Sequence, residues 1–251
     1  EFAYASHVKY GKALERGFFK HEIEPLELVT TDKKGNVVSK EVLDFDEQYR
    51  PDISLEALAK MKPIYGNPTC TAGNAPGMND GATAQIFMRR EKAETLGLDI
   101  IYTVVTMATV ALAPRFIDLA PGFAIKKCLD TAKLSIDDMK FIEINEAFAC
   151  VPLVSLKLLT NDRFLSGNLG ELITEASQQP ILGNDEAKYS EFKNKVNVNG
   201  SAVATGHPNT ATGARLMMTA AYNLKEQGGG YAACGICGGL AQGAGCIISV
   251  E

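Results

Sequence analysis

The sequence predicts an α/β fold in which helices cover the faces of a sheet. Three observations predict it. Short apolar runs rich in β-branched and small residues alternate with longer segments whose apolar residues recur at helical spacing. Glycine, asparagine and proline clusters punctuate the joins. With 46% hydrophobic and 22% charged residues, the 251-residue chain can build a sizeable core, as one large domain or two moderate ones.

Residues 2–16 read as a helix, with Ala3, His7, Tyr10 and Leu14 on one stripe and Gly17 as its stop. That stripe makes His7 a helix–core boundary residue, while His21, in the charged connection FKHEIEP, is expected to be exposed. From Pro25 to about residue 50 the chain is irregular, with the turn DKKGN between two strand-like stretches. Ser54 is a candidate cap for a helix carrying Leu55, Leu58 and Ala59. Residues 70–88 read as a glycine-rich loop, a turn at Asn79–Gly81 and a strand; REKAETLG then adds a helix ending at Gly97. The run 101–114 reads as a buried strand. After Pro121 comes a helix with Ala124, Ile125, Cys128, Leu129 and Ala132 on one stripe, which makes Cys128 a packing residue.

The strand 140–144 leads into a segment from Asn145 to residue 159 that looks helical despite Pro152. Residues 160–195 differ in composition and read as a surface excursion. Residues 196–204 suggest a short strand ahead of His207. Leu216, Met217, Ala220, Ala221 and Leu224 form another helical stripe, ended by Gly228–Gly230. Two last strands flank the turn CGGLAQG.

Several classes are excluded or disfavoured. A net charge of -5 argues against a nucleic-acid partner. No uncharged apolar run is long enough to cross a membrane as a helix. The N-terminus shows no signal-peptide or transit-peptide character, and the lack of an initiating Met suggests a fragment or a processed subunit. The six cysteines, Cys70, Cys128, Cys150, Cys234, Cys237 and Cys246, do not space like a secreted disulfide framework, which fits the cytoplasm or another reducing compartment.

Polar or reactive groups follow three predicted strands: Asn145 with Glu146, His207, and Cys237. Ligands gather at the carboxyl ends of strands in open α/β sheets. Histidine exchanges a proton near neutral pH, a cysteine with a shifted pKa acts as acid or base, and an asparagine or a glycine-turn N–H stabilises an oxyanion. That combination suits carbon–carbon or acyl chemistry on a thioester. The competing reading of CGIC (234–237) is a redox or zinc pair. No second cysteine pair lies at ligand spacing, no histidine lies close by, and residues three apart on a strand face opposite sides. No metal site is therefore expected.

NEAFA (145–149), NVNGSAVATGHPNTATGAR (197–215) and CGGLAQGAG (237–245) resemble the three C-terminal signatures of the thiolase family. TAGNAPGMNDGATA (71–84) looks like the family's CoA loop, and FAYASHVKYGKAL like a helix of its loop domain. The resemblance implies a layered αβαβα architecture, of which this chain would supply the C-terminal half plus the remainder of the loop domain. Residues 1–78 would be that remainder, 79–97 would add a strand and helix to the N-terminal domain, and 98–251 would form the C-terminal domain.

It implies chemistry as well. Thiolases make or cleave a 3-ketoacyl-CoA with acetyl-CoA through an acyl-cysteine, using coenzyme A as substrate or product and no permanently bound cofactor. By this resemblance His207 would take the nucleophile's proton and Cys237 would abstract or return the α-proton. Asn145 would hold a water that, with His207, binds the thioester oxygen. The Gly239 N–H would join a second oxyanion hole. Arg50 would flank the adenine, Ser54 would lie near the nucleotide, and Tyr65 and Phe148 would line the pantetheine tunnel. Pro76 replaces a serine common in the family, and Asn209 and Thr210 depart from the usual Ile-Gly. None of the six cysteines sits in the family's nucleophile motif, so the chain is expected to be the C-terminal portion, lacking the nucleophile half. A companion N-terminal polypeptide would supply that thiol, within a dimer or tetramer of the complete unit. A non-catalytic scaffold that binds CoA or a partner protein is the alternative.

Overall fold

In the computed structural model, which describes residues 1–64, 66–176, 178 and 185–251, α1 spans Phe2–Glu15 and buries Ala3, His7, Tyr10 and Ala13. A single 3-10 turn, Phe18–His21, brings Phe18 and Phe19 against Tyr10 and Ala204. The hairpin of β1 (Leu26–Thr31) and β2 (Val37–Leu43) is antiparallel, and the Asp32 carboxylate accepts from the Lys34 and Asn36 N–H groups to make its turn. Its valines and leucines are largely exposed, so it stands away from the core. In α2 (Leu55–Ala59), Ser54 Oγ accepts from the Ala57 N–H at 3.1 Å, as a cap should.

Residues 79–89 form no strand, contrary to expectation. A strand needs a backbone partner, and none is present among the described residues. The segment instead runs along a later helix by side-chain bonds: Thr83 Oγ1 donates to the Ala211 carbonyl at 3.3 Å and Gln85 Nε2 to that of Ala214 at 2.7 Å. Met78 and Ile86 are left 90% and 88% exposed. The helix α3 follows at Arg90–Thr95.

The sheet comprises β3 (Thr103–Ala111), β4 (Met139–Ile144), β5 (Gly230–Gly238) and β6 (Gln242–Val250), in the order β3-β6-β5-β4. Only β4 and β5 are parallel. β3 was expected to be buried, but it lies at the edge. Met107, opposite Cys246, is 64% exposed there, although Val110 on the other face is buried. One face of the sheet is covered by α4 (Ala120–Ala132) and α5 (Cys150–Leu159). β6 can lie close to α4 because Gly245 has no side chain: a Cβ would stand 2.7 Å from the Ala124 carbonyl carbon.

The excursion 160–195 does more than decorate the surface. In α6 (Asp162–Ser166), α7 (Leu169–Ala176) and α8 (Glu186–Lys193), Phe164, Leu172, Ala176 and Phe192 are buried in the same core. Part of this stretch lies outside the described residues.

Residues 196–204 are not a strand either. Val196 makes one parallel bridge to Ile142, after which Asn197 turns to φ 45°. The Asn197 side chain takes over the ladder, accepting from the Ile144 N–H and donating to its carbonyl, both at 2.8 Å. One turn of helix, α9 (Ala202–Thr205), leads to α10 (Asn209–Glu226), whose stripe Leu216, Met217, Ala220, Ala221 and Leu224 covers the other sheet face.

Candidate active site

Asn145 ends β4. The segment 145–149 was expected to begin a helix, but α5 starts only at Cys150. Its backbone is held elsewhere: the Asn145 N–H donates to the Gly235 carbonyl on β5, and the Ala149 N–H to the Asn74 carbonyl, both at 2.9 Å. Asn145 therefore continues the parallel pairing toward the carboxyl ends of β4 and β5. Cys237 lies on β5 two residues beyond Gly235, at the same end of the sheet.

His207 arrives from the far side of α9. Gly206 adopts φ +87°, and any Cβ there would collide with the Asn79 side chain. The His207 N–H is held by the Gly77 carbonyl at 3.1 Å and Asn79 Oδ1 at 3.3 Å. The small residues around His207 thus let the CoA-loop-like segment close on its backbone. Asn145 Nδ2 then lies 3.4 Å from His207 Nε2, and Thr212 Oγ1 lies 2.7 Å from Nδ1.

Thr212 is a site residue that the sequence reading did not single out. It sits in the first turn of α10, five residues after His207, where a side chain can reach back to a histidine placed just before the helix. An Nδ1–H donated to Thr212 leaves Nε2 as the free base, facing the Asn145 amide. Burial holds the His207 pKa below its ordinary value, which favours the neutral, proton-accepting imidazole. Asn145 is fully buried and, among the described residues, its Oδ1 has no hydrogen-bond partner, so it is an acceptor still to be satisfied.

Cys237 is half-buried. Burial pushes its thiol up to about 11, with the negative charge of Asp118 acting in the same direction and a backbone hydrogen bond opposing both. Its thiolate, once formed, is a strong base. Cys234 faces the α10 side with Leu216, whereas Cys237 packs toward the α4 side. The two sulfurs of CGIC therefore lie on opposite faces of the sheet. Gly239 opens the next turn, and the space where its Cβ would be is empty to 4 Å.

Glu146 is structural. Wholly buried, it accepts from Ser6 Oγ at 2.7 Å, the Val203 N–H at 3.0 Å and Asn197 Nδ2 at 3.0 Å. Burial raises its pKa, against the pull of these bonds. The carboxylate ties α1 and α9 to the end of β4, beside Asn145.

Arg50, Ser54 and Phe148, also singled out from sequence, make the following contacts. Arg50 donates its backbone N–H to His7 Nδ1 at 3.2 Å. Ser54 is exposed and uses Oγ as a helix cap. Phe148 packs partly buried against the α4–α5 core. Tyr65 lies outside the described residues.

Residues 98–250 match the sequence model of the family described as "Thiolase, C-terminal domain", and residues 1–91 match "Thiolase, N-terminal domain". The chain belongs to the thiolase family. It is 39% identical over 243 residues to the "Beta-ketoadipyl-CoA thiolase" of Pseudomonas knackmussii, covering 96% of this chain and 52% of that protein. It is 38% identical over 248 residues to the "3-oxoadipyl-CoA/3-oxo-5,6-dehydrosuberyl-CoA thiolase" of Escherichia coli K12, covering 98% and 54%. The crystal structure of the Bacillus anthracis acetyl-CoA acetyltransferase superposes with a TM-score of 0.81 at 32% identity, over 100% of this chain and 55% of that one. Human mitochondrial 3-ketoacyl-CoA thiolase gives 0.76 at 29%, over 100% and 54%. The fold is that of thiolases, and the chain spans about half the length of the curated relatives it matches.

The N-terminal-domain match corrects one expectation. The chain was expected to lack the N-terminal half, whereas its first 91 residues match N-terminal-domain sequence. Cys70 is the only cysteine among them.

Proposed function

We propose that these residues provide the proton-transfer face of a thiolase-type acyltransferase that makes or cleaves a 3-ketoacyl-CoA with acetyl-CoA. The single observation that carries the reading is the chain Asn145–His207–Thr212, built at the carboxyl end of the strands that also carries Cys237. A scaffold that only binds CoA has no use for a half-buried imidazole held at both ring nitrogens.

In this reading, His207 Nε2 accepts the proton of a nucleophilic thiol as the sulfur attacks the acyl-CoA carbonyl. Coenzyme A leaves, taking the proton back from the imidazolium. The Cys237 thiolate then removes the α-proton of acetyl-CoA. The resulting enolate attacks the acyl-cysteine: a carbon–carbon bond forms, the enzyme's C–S bond breaks, and the leaving thiolate is reprotonated by the proton that Cys237 took, which returns Cys237 to its thiolate. The enolate oxygen is held by His207 and a water on Asn145, and the tetrahedral oxyanion by the Gly239 N–H with that of the nucleophile.

Arg50, Ser54, Tyr65 and Phe148 take the CoA, as a dissociable substrate. Residues 1–78 serve as loop-domain sequence, 79–97 complete an N-terminal-domain layer and 98–251 act as the C-terminal domain. The nucleophile comes from polypeptide beyond these 251 residues, either in the same longer chain or in a companion one. The exposed apolar residues Met78, Ile86 and Phe87 support a surface covered in a larger dimeric or tetrameric unit. A reducing compartment suits a site built on thiols.

The test is acylation of the full-length protein by acetyl-CoA, with the adduct mapped by peptide mass spectrometry. An adduct on a cysteine outside these residues, lost in His207→Ala, is expected. No adduct, or one on Cys237 itself, would overturn the assignment.

A further inference from the structure

We infer that Glu143 is a positioning residue for His207, acting through a water bound in the small cavity that Glu143 and Thr212 both line. The inference rests on the acyl-transfer reading above.

Glu143 lies on β4, two residues before Asn145. On the α10 side of the sheet, Asn223 Nδ2 donates to its Oε1 at 3.4 Å. That long contact is the only hydrogen bond of the Glu143 carboxyl among the described residues, although Glu143 is 1% exposed. Asn223 is itself fixed by Asn199, whose Nδ2 donates to Asn223 Oδ1 at 2.8 Å. The cations of this region are engaged elsewhere: Arg215 pairs with Asp46 and Glu22, and Lys9 Nζ donates to the Val196 carbonyl at 2.9 Å. Burial, with Glu22 and Glu146 acting in the same direction and Lys9 opposing, holds the carboxyl well above its ordinary pKa, so it keeps its proton. A cavity of about 20 Å³ adjoins it, lined among others by Thr205, Thr212, Arg215, Leu216 and Thr219. That is room for a water molecule.

Thr212 is 4% exposed, and His207 Nδ1 at 2.7 Å is the only hydrogen-bond partner of its hydroxyl among the described residues. The hydroxyl can meet that nitrogen in two ways. As an acceptor it takes the Nδ1–H and leaves Nε2 unprotonated, as acyl transfer requires. As a donor it gives its own hydrogen to Nδ1, which places the imidazole proton on Nε2 and removes the base. The choice turns on whether the hydroxyl hydrogen has another acceptor. A water in the cavity supplies one, and the Glu143 carboxyl holds that water in place. Two buried groups short of partners thus border a space that fits the molecule able to satisfy both.

The experiment is a double-mutant cycle on the rate at which acetyl-CoA acylates the full-length protein, used with any polypeptide that accompanies it. Glu143→Met removes the polar group at similar volume and is expected to slow acylation about tenfold or more when Thr212 is present. In the Thr212→Val background there is no hydroxyl to orient, and the same change is expected to slow it less than about threefold. Glu143→Gln keeps a group that can hold the water and should stay within about threefold of wild type. Nitrogen NMR of the imidazole reads the tautomer directly. His207 should carry its proton on Nδ1 in the wild type and shift toward Nε2 in Glu143→Met. Equal losses from Glu143→Met in both backgrounds, no loss in either, or a Gln variant as slow as the Met variant overturns the inference. So does a wild-type imidazole protonated on Nε2, which decides even where a variant fails to fold. Absence of acylation in the wild type overturns the acyl-transfer reading itself, and the inference with it.

Discussion

The side-chain amide of Asn145 lies 3.4 Å from Nε2 of His207, although the two residues are 62 positions apart in the chain. The contact joins the end of β4, the strand at one side of the sheet, to a residue just ahead of α10. It leaves Asn145 Oδ1 buried and without a donor among the described residues. Replacing Asn145 by Ala removes this oxyanion-side group, and kcat is expected to fall about a hundred- to a thousandfold. Near-wild-type turnover would remove Asn145 from the mechanism.

Thr212 sets the imidazole rather than touching the reacting atoms. Thr212→Val removes the Nδ1 partner at nearly constant volume, so kcat is expected to drop by about tenfold or more, a typical loss for a general base out of position. Thr212→Ser should restore most of it, and KM for acetyl-CoA should move little. Equal losses in the Val and Ser variants would show that Thr212 acts only through packing.

Cys237→Ser tests the division of labour between the two halves of the reaction. The variant should still form the acyl-enzyme, because His207 serves that step, but should not condense it with acetyl-CoA. Rapid-quench detection of the adduct alongside steady-state assay separates the steps. Loss of acylation in this variant would contradict the roles assigned.

His7 and Glu22 make opposite demands on stability. Burial, helped by Arg50, lowers His7 to about 4, while burial raises Glu22 to about 7 against the pull of Arg215. The unfolded chain binds the proton more readily at the His7 position, so that term makes stability rise as pH goes from about 4 to 6.5. The folded chain binds it more readily at Glu22, so that term makes stability fall as pH goes from about 4.5 to 7. Each is worth on the order of 3 kcal/mol across its window. Urea midpoints against pH should therefore steepen downward toward neutrality in His7→Gln and tilt upward in Glu22→Gln. Parallel profiles for wild type and both variants would refute the account.

Glu146→Ala should destabilise strongly, by about 3 kcal/mol or more, because Ser6, Asn197 and Val203 would each lose an acceptor in a buried place. Glu146→Gln keeps an acceptor oxygen and should cost less. Chemical denaturation gives the comparison directly.

Much of the fold was legible because local patterns there matched the final packing. The stripes of α1, α4 and α10 are buried as their spacing implied, and the turn residues around Asp32 and Ser54 perform the expected local bonds. The failures share a cause. At 79–89 no strand forms, at 101–114 one forms (Thr103–Ala111) without the expected burial, and at 196–204 none forms, because a strand depends on what lies beside it. The first lacks a partner among the described residues, the second occupies an edge, and the third is stopped by Asn197 in a left-handed turn.

By itself the sequence determined the alternation of helices and strands, the family motifs, and a list of chemically competent residues: Asn145, His207 and Cys237. Those follow from side-chain identity and short-range spacing, which are written into the chain directly. Only the tertiary structure decided that Thr212 lies against His207 and that Glu146 is a buried anchor rather than a reactant. Each of those depends on segments far apart in sequence meeting at the end of one sheet, where burial and a neighbour's charge set what a carboxylate, a thiol or an imidazole can do.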